Sequence, residues 1–156
     1  MGNVCTFFGH HDCSESVKQK LREVLIDLIA NHSVDTFYVG NKGSFDWYVR
    51  SVLRELTYTY KYVHYAVVLE RLPEKQNANR SEYYSDTIFP EDIEDAPPRF
   101  ALVRRNNWML QQASYVVTYI THPWGGAAQF AEIAKRQGKF VINLPDQYPI
   151  CSSSFR

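Results

Sequence analysis

The sequence has no apolar run near the roughly 18–20 residues that a membrane span needs, so no membrane-crossing helix is expected. Excess charge of either sign is also missing: 17 Lys plus Arg balance 17 Asp plus Glu. A strongly basic chain would point to nucleic acid, and this one does not, so nucleic acid is disfavoured as a partner. Cysteine is scarce. Cys5, Cys13 and Cys151 are odd in number and lack metal-ligand spacing. No metal and no cofactor are expected, and a reduced cytoplasm is the simplest compartment. Internal repeats and low-complexity tracts are absent. The first residues lack a charged n-region and a long h-region, so no secretory signal is expected. Met-Gly-Asn with Thr6 has the outline of a myristoylation site. That stretch is better used as a first core strand.

What is present fits one folded unit. A length of 156 residues suits a single domain with a full core, expected over 1–145 with a loose tail at 146–156. Apolar runs read as strands at Val4–Phe8, Thr36–Val39, Tyr65–Leu69, Tyr115–Ile120 and Phe140–Leu144. Apolar residues at helical spacing predict helices over Glu15–Asn31, Phe45–Leu56, Arg99–Gln112 and about Ala127–Gln137. Ser14 or Asp12 is the expected cap of the first helix and Ser44 of the second. In the third, Phe100, Val103, Trp108 and Met109 are the candidate core. Pro73–Pro98 is polar and without core periodicity, as in a lid or a mobile loop. Its Tyr83-Tyr84 and Ile88-Phe89 would either cover a ligand or pin the loop to the surface. The expected fold class is α/β: a Rossmann-like three-layer domain with a mainly parallel five-stranded sheet.

In such sheets ligands sit beyond the carboxyl ends of the strands. That rule gathers Gly9-His10, Gly40–Ser44, the long loop and Thr121–Gly126 at one edge. The most informative segment is Ser114–Leu144, a strand, a Gly125-Gly126 turn, a helix bearing Glu132, and a second strand. Helix starts carry unpaired N–H groups and partial positive charge, and residues without Cβ let an anion approach them. The plainer reading is a tight turn. Glu132 is a candidate for ribose hydroxyls or for an oxocarbenium-like centre; otherwise it is a solvated helix acid. Arg105 is a candidate phosphate clamp, or a surface residue of the Arg104-Arg105 pair. Asn41 and Asp46 suit ribose or base edges, or turn chemistry. His10 and His122 suit phosphate or ligand contact, or strand and turn ends. Tyr58, Tyr60 and Tyr62 alternate, which reads as packing or a subunit face.

These residues resemble the SLOG superfamily, the Rossmann-like proteins grouped around Smf/DprA and the Lonely Guy phosphoribohydrolases. Arg105 leads the strand as the Arg does in Lonely Guy enzymes. Gly125, Gly126 and Glu132 match their Pro-Gly-Gly-x-Gly-Thr-x-x-Glu motif. Ala128 replaces the third Gly, Gln129 the Thr and Trp124 the Pro. Phe8-Gly9-His10 and Gly40-Asn41-Lys42-Gly43-Ser44-Phe45-Asp46 are similar to stretches of small stand-alone bacterial and phage members.

The resemblance implies a sensor or sequestering protein for a nucleotide or nucleotide-derived signal, such as an ADP-ribose-type or cyclic nucleotide, as in anti-phage signalling. Its ligand residues would be Gly9, His10, Gly40, Asn41, Gly43, Asp46, Arg105, His122, Gly125, Gly126, Gln129 and Glu132. The alternative it implies is an N-glycosidic hydrolase of nucleoside 5′-monophosphates with Glu132 and Arg105 catalytic. A single-stranded DNA binder ranks last, on the neutral charge. Lonely Guy relatives assemble, so a homo-oligomer is expected by analogy.

Overall fold

The computed structural model describes residues 2–70, 87–90, 93 and 96–147. The elements, in order, are β1 (Asn3–Gly9), α1 (Val17–Asn31), β2 (Val34–Val39), α2 (Gly43–Thr59), β3 (His64–Val68), β4 (Thr87–Ile88), α3 (Pro98–Gln112), β5 (Tyr115–Tyr119), α4 (Gly126–Arg136) and β6 (Phe140–Asn143), followed by a 3-10 turn at Leu144–Gln147. The strands form one sheet in the order β4-β3-β2-β1-β5-β6. All its pairings are parallel.

A parallel sheet needs crossovers, and the helices supply them. Two apolar layers result. Cys5 and Phe7 of β1 pack with Leu21, Leu25 and Leu28 of α1 and Val49, Val52 and Leu53 of α2. Phe8 and Val116 pack on the other layer with Met109 and Leu110 of α3 and Phe130 and Ala134 of α4. Residues 5–8 are therefore buried without alternation, as a strand covered on both faces must be. Thr6 is buried as well, and its hydroxyl donates to the Tyr38 carbonyl at 2.7 Å.

The chain builds outward from β1 through β2 and β3 to β4, then returns to place β5 on β1's other side. The strand order therefore reverses between β1 and β5. Loops leaving those two strands diverge there and open a crevice at their carboxyl ends.

The expected five-stranded sheet has a sixth strand. Thr87–Ile88 pairs with Val67 and Val68 inside the segment read as a loop. Two residues are too short to show a period of two. Phe89 beside them packs on the core, while Tyr83-Tyr84 lie outside the described residues.

The helix caps also differ from expectation. α1 begins after Ser16 with no side-chain cap, and the Ser14 hydroxyl accepts from the Ser16 N–H at 3.2 Å. α2 begins after Lys42. Ser44 lies inside it, where its hydroxyl accepts from the Cys13 N–H at 2.7 Å and donates to the His11 carbonyl. Ser44 thus ties the β1–α1 loop to the start of α2. Gly43 permits this close approach: it has φ +86°, and a Cβ there would meet the backbone of His11.

The inward face of α3 departs most from the pattern. Phe100 and Val103 are 46% and 47% exposed, whereas Arg105 and Asn106 are buried beside Ala101, Met109 and Leu110. Met109 is buried and Trp108 packs on the core as expected, so Phe100 and Val103 are the misplaced half, and the buried side also carries polar work.

Candidate functional site

A cleft of about 370 Å³ opens at the switch point, within the range of small-molecule sites. β1 and the loop after it deliver Gly9, His10, His11 and Asp12, and the start of α2 delivers Lys42 and Asp46. α3 brings Leu102, Arg105 and Asn106, and the loop into α4 brings His122, Gly125 and Gly126.

Arg105 is the central charge. It is 4% exposed. Its Nε and Nη2 donate to Asn106 Oδ1 at 3.1 and 2.9 Å, and its Nη1 donates to Asn41 Oδ1 at 3.1 Å. Two amides hold the guanidinium fork in place, and N–H groups remain beyond those three bonds. Burial pulls its pKa down, while Asp46 and Glu70 oppose that shift; a guanidinium keeps its proton regardless. Gly40 faces it with no side chain, and a Cβ there would lie 2.6 Å from Nη1.

Asp46 sits in the first turn of α2, where its Oδ2 accepts from the Lys42 N–H at 3.0 Å. Burial pushes its carboxyl up to about 6, against the pull of Arg105 and of that N–H. Lys42 Nζ pairs with buried Glu70 at 2.9 Å. The cleft lining thus brings Lys42 and Arg105 together with Asp12 and Asp46, and the neutral charge of the whole chain hides that local arrangement.

The opposite wall is the start of α4. Gly125 holds φ +100° and no side chain caps the helix. A Cβ on either Gly125 or Gly126 would meet nothing within 4 Å, so their backbone faces open space. A stack of rings starts in the cleft lining with His10 and His122 and ends on Trp124, which is outside that lining. His10 and His122 are 3.7 Å apart by ring centroids and tilted by 13°, and His122 and Trp124 are 3.9 Å apart and tilted by 18°. Burial, then the neighbouring His122, depress the pKa of His10, so that imidazole is neutral near pH 7.

Of the expected ligand residues, Gly9, His10, Asp46, Arg105, His122, Gly125 and Gly126 line this one cleft. Asn41 and Gly40 support Arg105 from behind. Gly43 packs against His11 instead of facing the cleft. Gln129 and Glu132 are exposed and line a second cleft of about 660 Å³, with Thr121, Pro123, Arg136 and Asn143. His122 borders both clefts. Glu132 and Arg105 thus line different clefts. Asn106, Lys42 and Asp12 were not among the expected residues. Asn106 had a signal: it follows Arg105, which shares a helix face with Ala101 and Met109 at spacings of four.

Among the described residues no three His, Cys, Asp or Glu side chains cluster closely enough to share a metal ion. No helix among them is long and apolar enough to cross a membrane.

No protein-family model and no curated protein sequence matches the chain. Solved structures do. DNA processing protein A (DprA) from Streptococcus pneumoniae superposes with a TM-score of 0.65 at 14% identity, over 90% of this chain and 49% of that one. DprA from Helicobacter pylori superposes with a TM-score of 0.63 at 12% identity, over 90% of this chain and 64% of that one. The chain has the DprA-like, Rossmann-like fold that the resemblance implied, and spans about half to two thirds of those proteins.

The H. pylori protein binds single-stranded DNA. This corrects the expectation that nucleic acid is disfavoured as a partner. Net charge was the only ground for it, and a protein built on this fold binds single strands. Charge summed over a chain says nothing of where Arg105 and Lys42 stand.

Proposed function

We propose that this chain binds a phosphate-bearing nucleotide or nucleotide-derived molecule in the first cleft, as a sensor or sequestering protein of the small stand-alone SLOG type. The observation that carries this reading is Arg105: a buried guanidinium, held by Asn41 and Asn106, lining a cleft whose other wall is an uncapped helix start. Phosphate suits both walls, since the fork donates in a plane and the helix start supplies N–H groups and positive potential. Asp46, titrating near 6, is suited to a ribose hydroxyl, as an acceptor when ionised and a donor when protonated. ADP-ribose-type molecules carry both groups and are the first to test.

A second reading is favoured by the shared fold: the same cleft takes one nucleotide unit of a single DNA strand, the class of ligand that H. pylori DprA binds. Cleavage of an N-glycosidic bond has less support, because Glu132 and Arg105 line separate clefts.

Calorimetric titration with ADP-ribose, AMP and a short thymidine oligonucleotide tests these readings. The expected result is binding of at least one, weakened about tenfold or more in Arg105→Lys, which keeps the charge but loses the fork. Oligonucleotide binding would fall steeply with salt, and mononucleotide binding less so. If none of the three bound to wild type, the reading would be overturned. Release of free base from AMP, abolished in Glu132→Gln, would establish the hydrolase instead.

A further inference from the structure

The ring stack that begins with His10 and His122 in the cleft lining ends in Trp124, which lines neither cleft and is largely exposed. His122 is sandwiched, with His10 on one side at 3.7 Å and Trp124 on the other at 3.9 Å. His122 Nδ1 is buried and has no hydrogen-bond partner among the described residues. Its ring is therefore positioned by stacking and by the neighbouring chain, not by a bond at that nitrogen. Trp124 has one face against His122, yet remains 66% exposed. A large apolar ring left in water gains when a second planar group covers it. Its position matters too. Trp124 directly precedes Gly125, so its Cα lies about 3.8 Å from that of the residue opening the helix start.

We infer that Trp124 is the base platform of this site: the nucleobase of the bound nucleotide stacks on the open face of its indole, extending the His10–His122–Trp124 column by one ring. The inference rests on the proposed phosphate site and adds to it the residue that reads the other end of the ligand. Stacking accepts any base, so Trp124 supplies affinity and orientation and not a choice among bases. The shared chemistry is a base joined to a phosphate through a sugar, whether free or within a single strand.

The test compares ligands with and without a base. Wild type, Trp124→Phe and Trp124→Ala are titrated calorimetrically with AMP, ribose 5-phosphate and a short thymidine oligonucleotide. Trp124 is exposed, so the variants are expected to fold, which thermal melting checks. The expected result is that Trp124→Ala weakens AMP or the oligonucleotide about tenfold, in line with the loss of one base–aromatic stack. Trp124→Phe retains most of the affinity, and ribose 5-phosphate binds all three proteins alike. An effect on AMP alone assigns the free nucleotide, and an effect on the oligonucleotide alone assigns the strand.

Equal binding of the base-bearing ligands by wild type and Trp124→Ala would overturn the platform and leave the phosphate site standing. Equal weakening of ribose 5-phosphate and AMP would also overturn it, since Trp124 would then only shape the loop. Failure of every ligand to bind wild type would remove the phosphate site, and the platform with it.

Discussion

Gly40 lies flat against the guanidinium of Arg105: a Cβ at residue 40 would fall 2.6 Å from Nη1 and 2.7 Å from Cζ. The chain leaving β2 is thus shaped around a side chain from α3, a helix residue 65 positions later in sequence. Gly40→Ala must push Arg105 off the two amides that hold it. Overpacking of this kind costs about 1–3 kcal/mol, and it would displace the cleft's central charge. The expected outcome is a lower urea midpoint together with weaker ADP-ribose binding. If Gly40→Ala bound as wild type does, Arg105 would not be the phosphate anchor, or its position would not matter.

Asp46 sets a pH dependence of known sign. Its folded pKa, about 6, lies above its ordinary 3.8 because burial disfavours the carboxylate more than Arg105 favours it. The folded state therefore holds the proton more tightly than the unfolded state between those values. The stability this group contributes is fully present below about 3.8 and lost as pH rises through about 6. Asp46→Asn keeps an acceptor for the Lys42 N–H but never has to ionise. It should be more stable than wild type at pH 7, by on the order of 1–3 kcal/mol. That advantage should vanish towards pH 4. Melting curves of the two proteins across this range decide the matter, and a constant difference would refute it.

Strong periodicity made most of the fold legible. Leu21, Leu25 and Leu28 face inward as their spacing predicts, and the continuous run of β1 is buried on both sides as a central parallel strand should be. The elements that escaped had no pattern to read. Thr87–Ile88 is two residues long. In α3, Arg105 and Asn106 are buried beside Met109 and Leu110 while Phe100 and Val103 face water, so the helix follows only in part the rule that apolar residues mark the buried face. The site contradicts it for the same reason, since a buried polar pair offsets the cost of its position only through what it binds or holds. The glycines and histidines at the sheet edge could be gathered by the strand-end rule alone. That Glu132 lines a different cleft from Arg105 could not, because sequence spacing along α4 does not say towards which side of the helix start a side chain turns.

His10 has the opposite pH signature from Asp46. Burial and the stacked His122 depress its pKa below 6.5. Its contribution to stability is present above 6.5 and lost as pH falls through the depressed value, because the unfolded chain takes up the proton first. His10→Gln removes this titration. Its melting temperature should fall less than that of wild type between pH 7 and 5. Proton NMR titration of the His10 ring should give a midpoint below 6.5, and a midpoint above it would contradict the burial and stacking of that ring.

The two glycines at the start of α4 should separate folding from binding. Gly125 has φ +100°, a conformation that L side chains rarely adopt, although nothing stands within 4 Å of a Cβ there. Gly125→Ala therefore meets backbone strain and no clash, and should cost about 1–3 kcal/mol. Gly126 has no positive φ and the same open space. It is the first residue of the helix, where alanine loses less backbone freedom on folding than glycine. Gly126→Ala should leave the melting temperature equal or slightly higher. Its new methyl group would nevertheless stand in the cleft beside the unpaired N–H groups, where an anion must come close. The expected pattern is a stable Gly126→Ala with phosphate-dependent binding weakened about tenfold, as for the loss of one charge-assisted contact. Unchanged affinity in that variant would mean that the helix start does not touch the ligand, and Arg105 alone would then have to account for phosphate recognition.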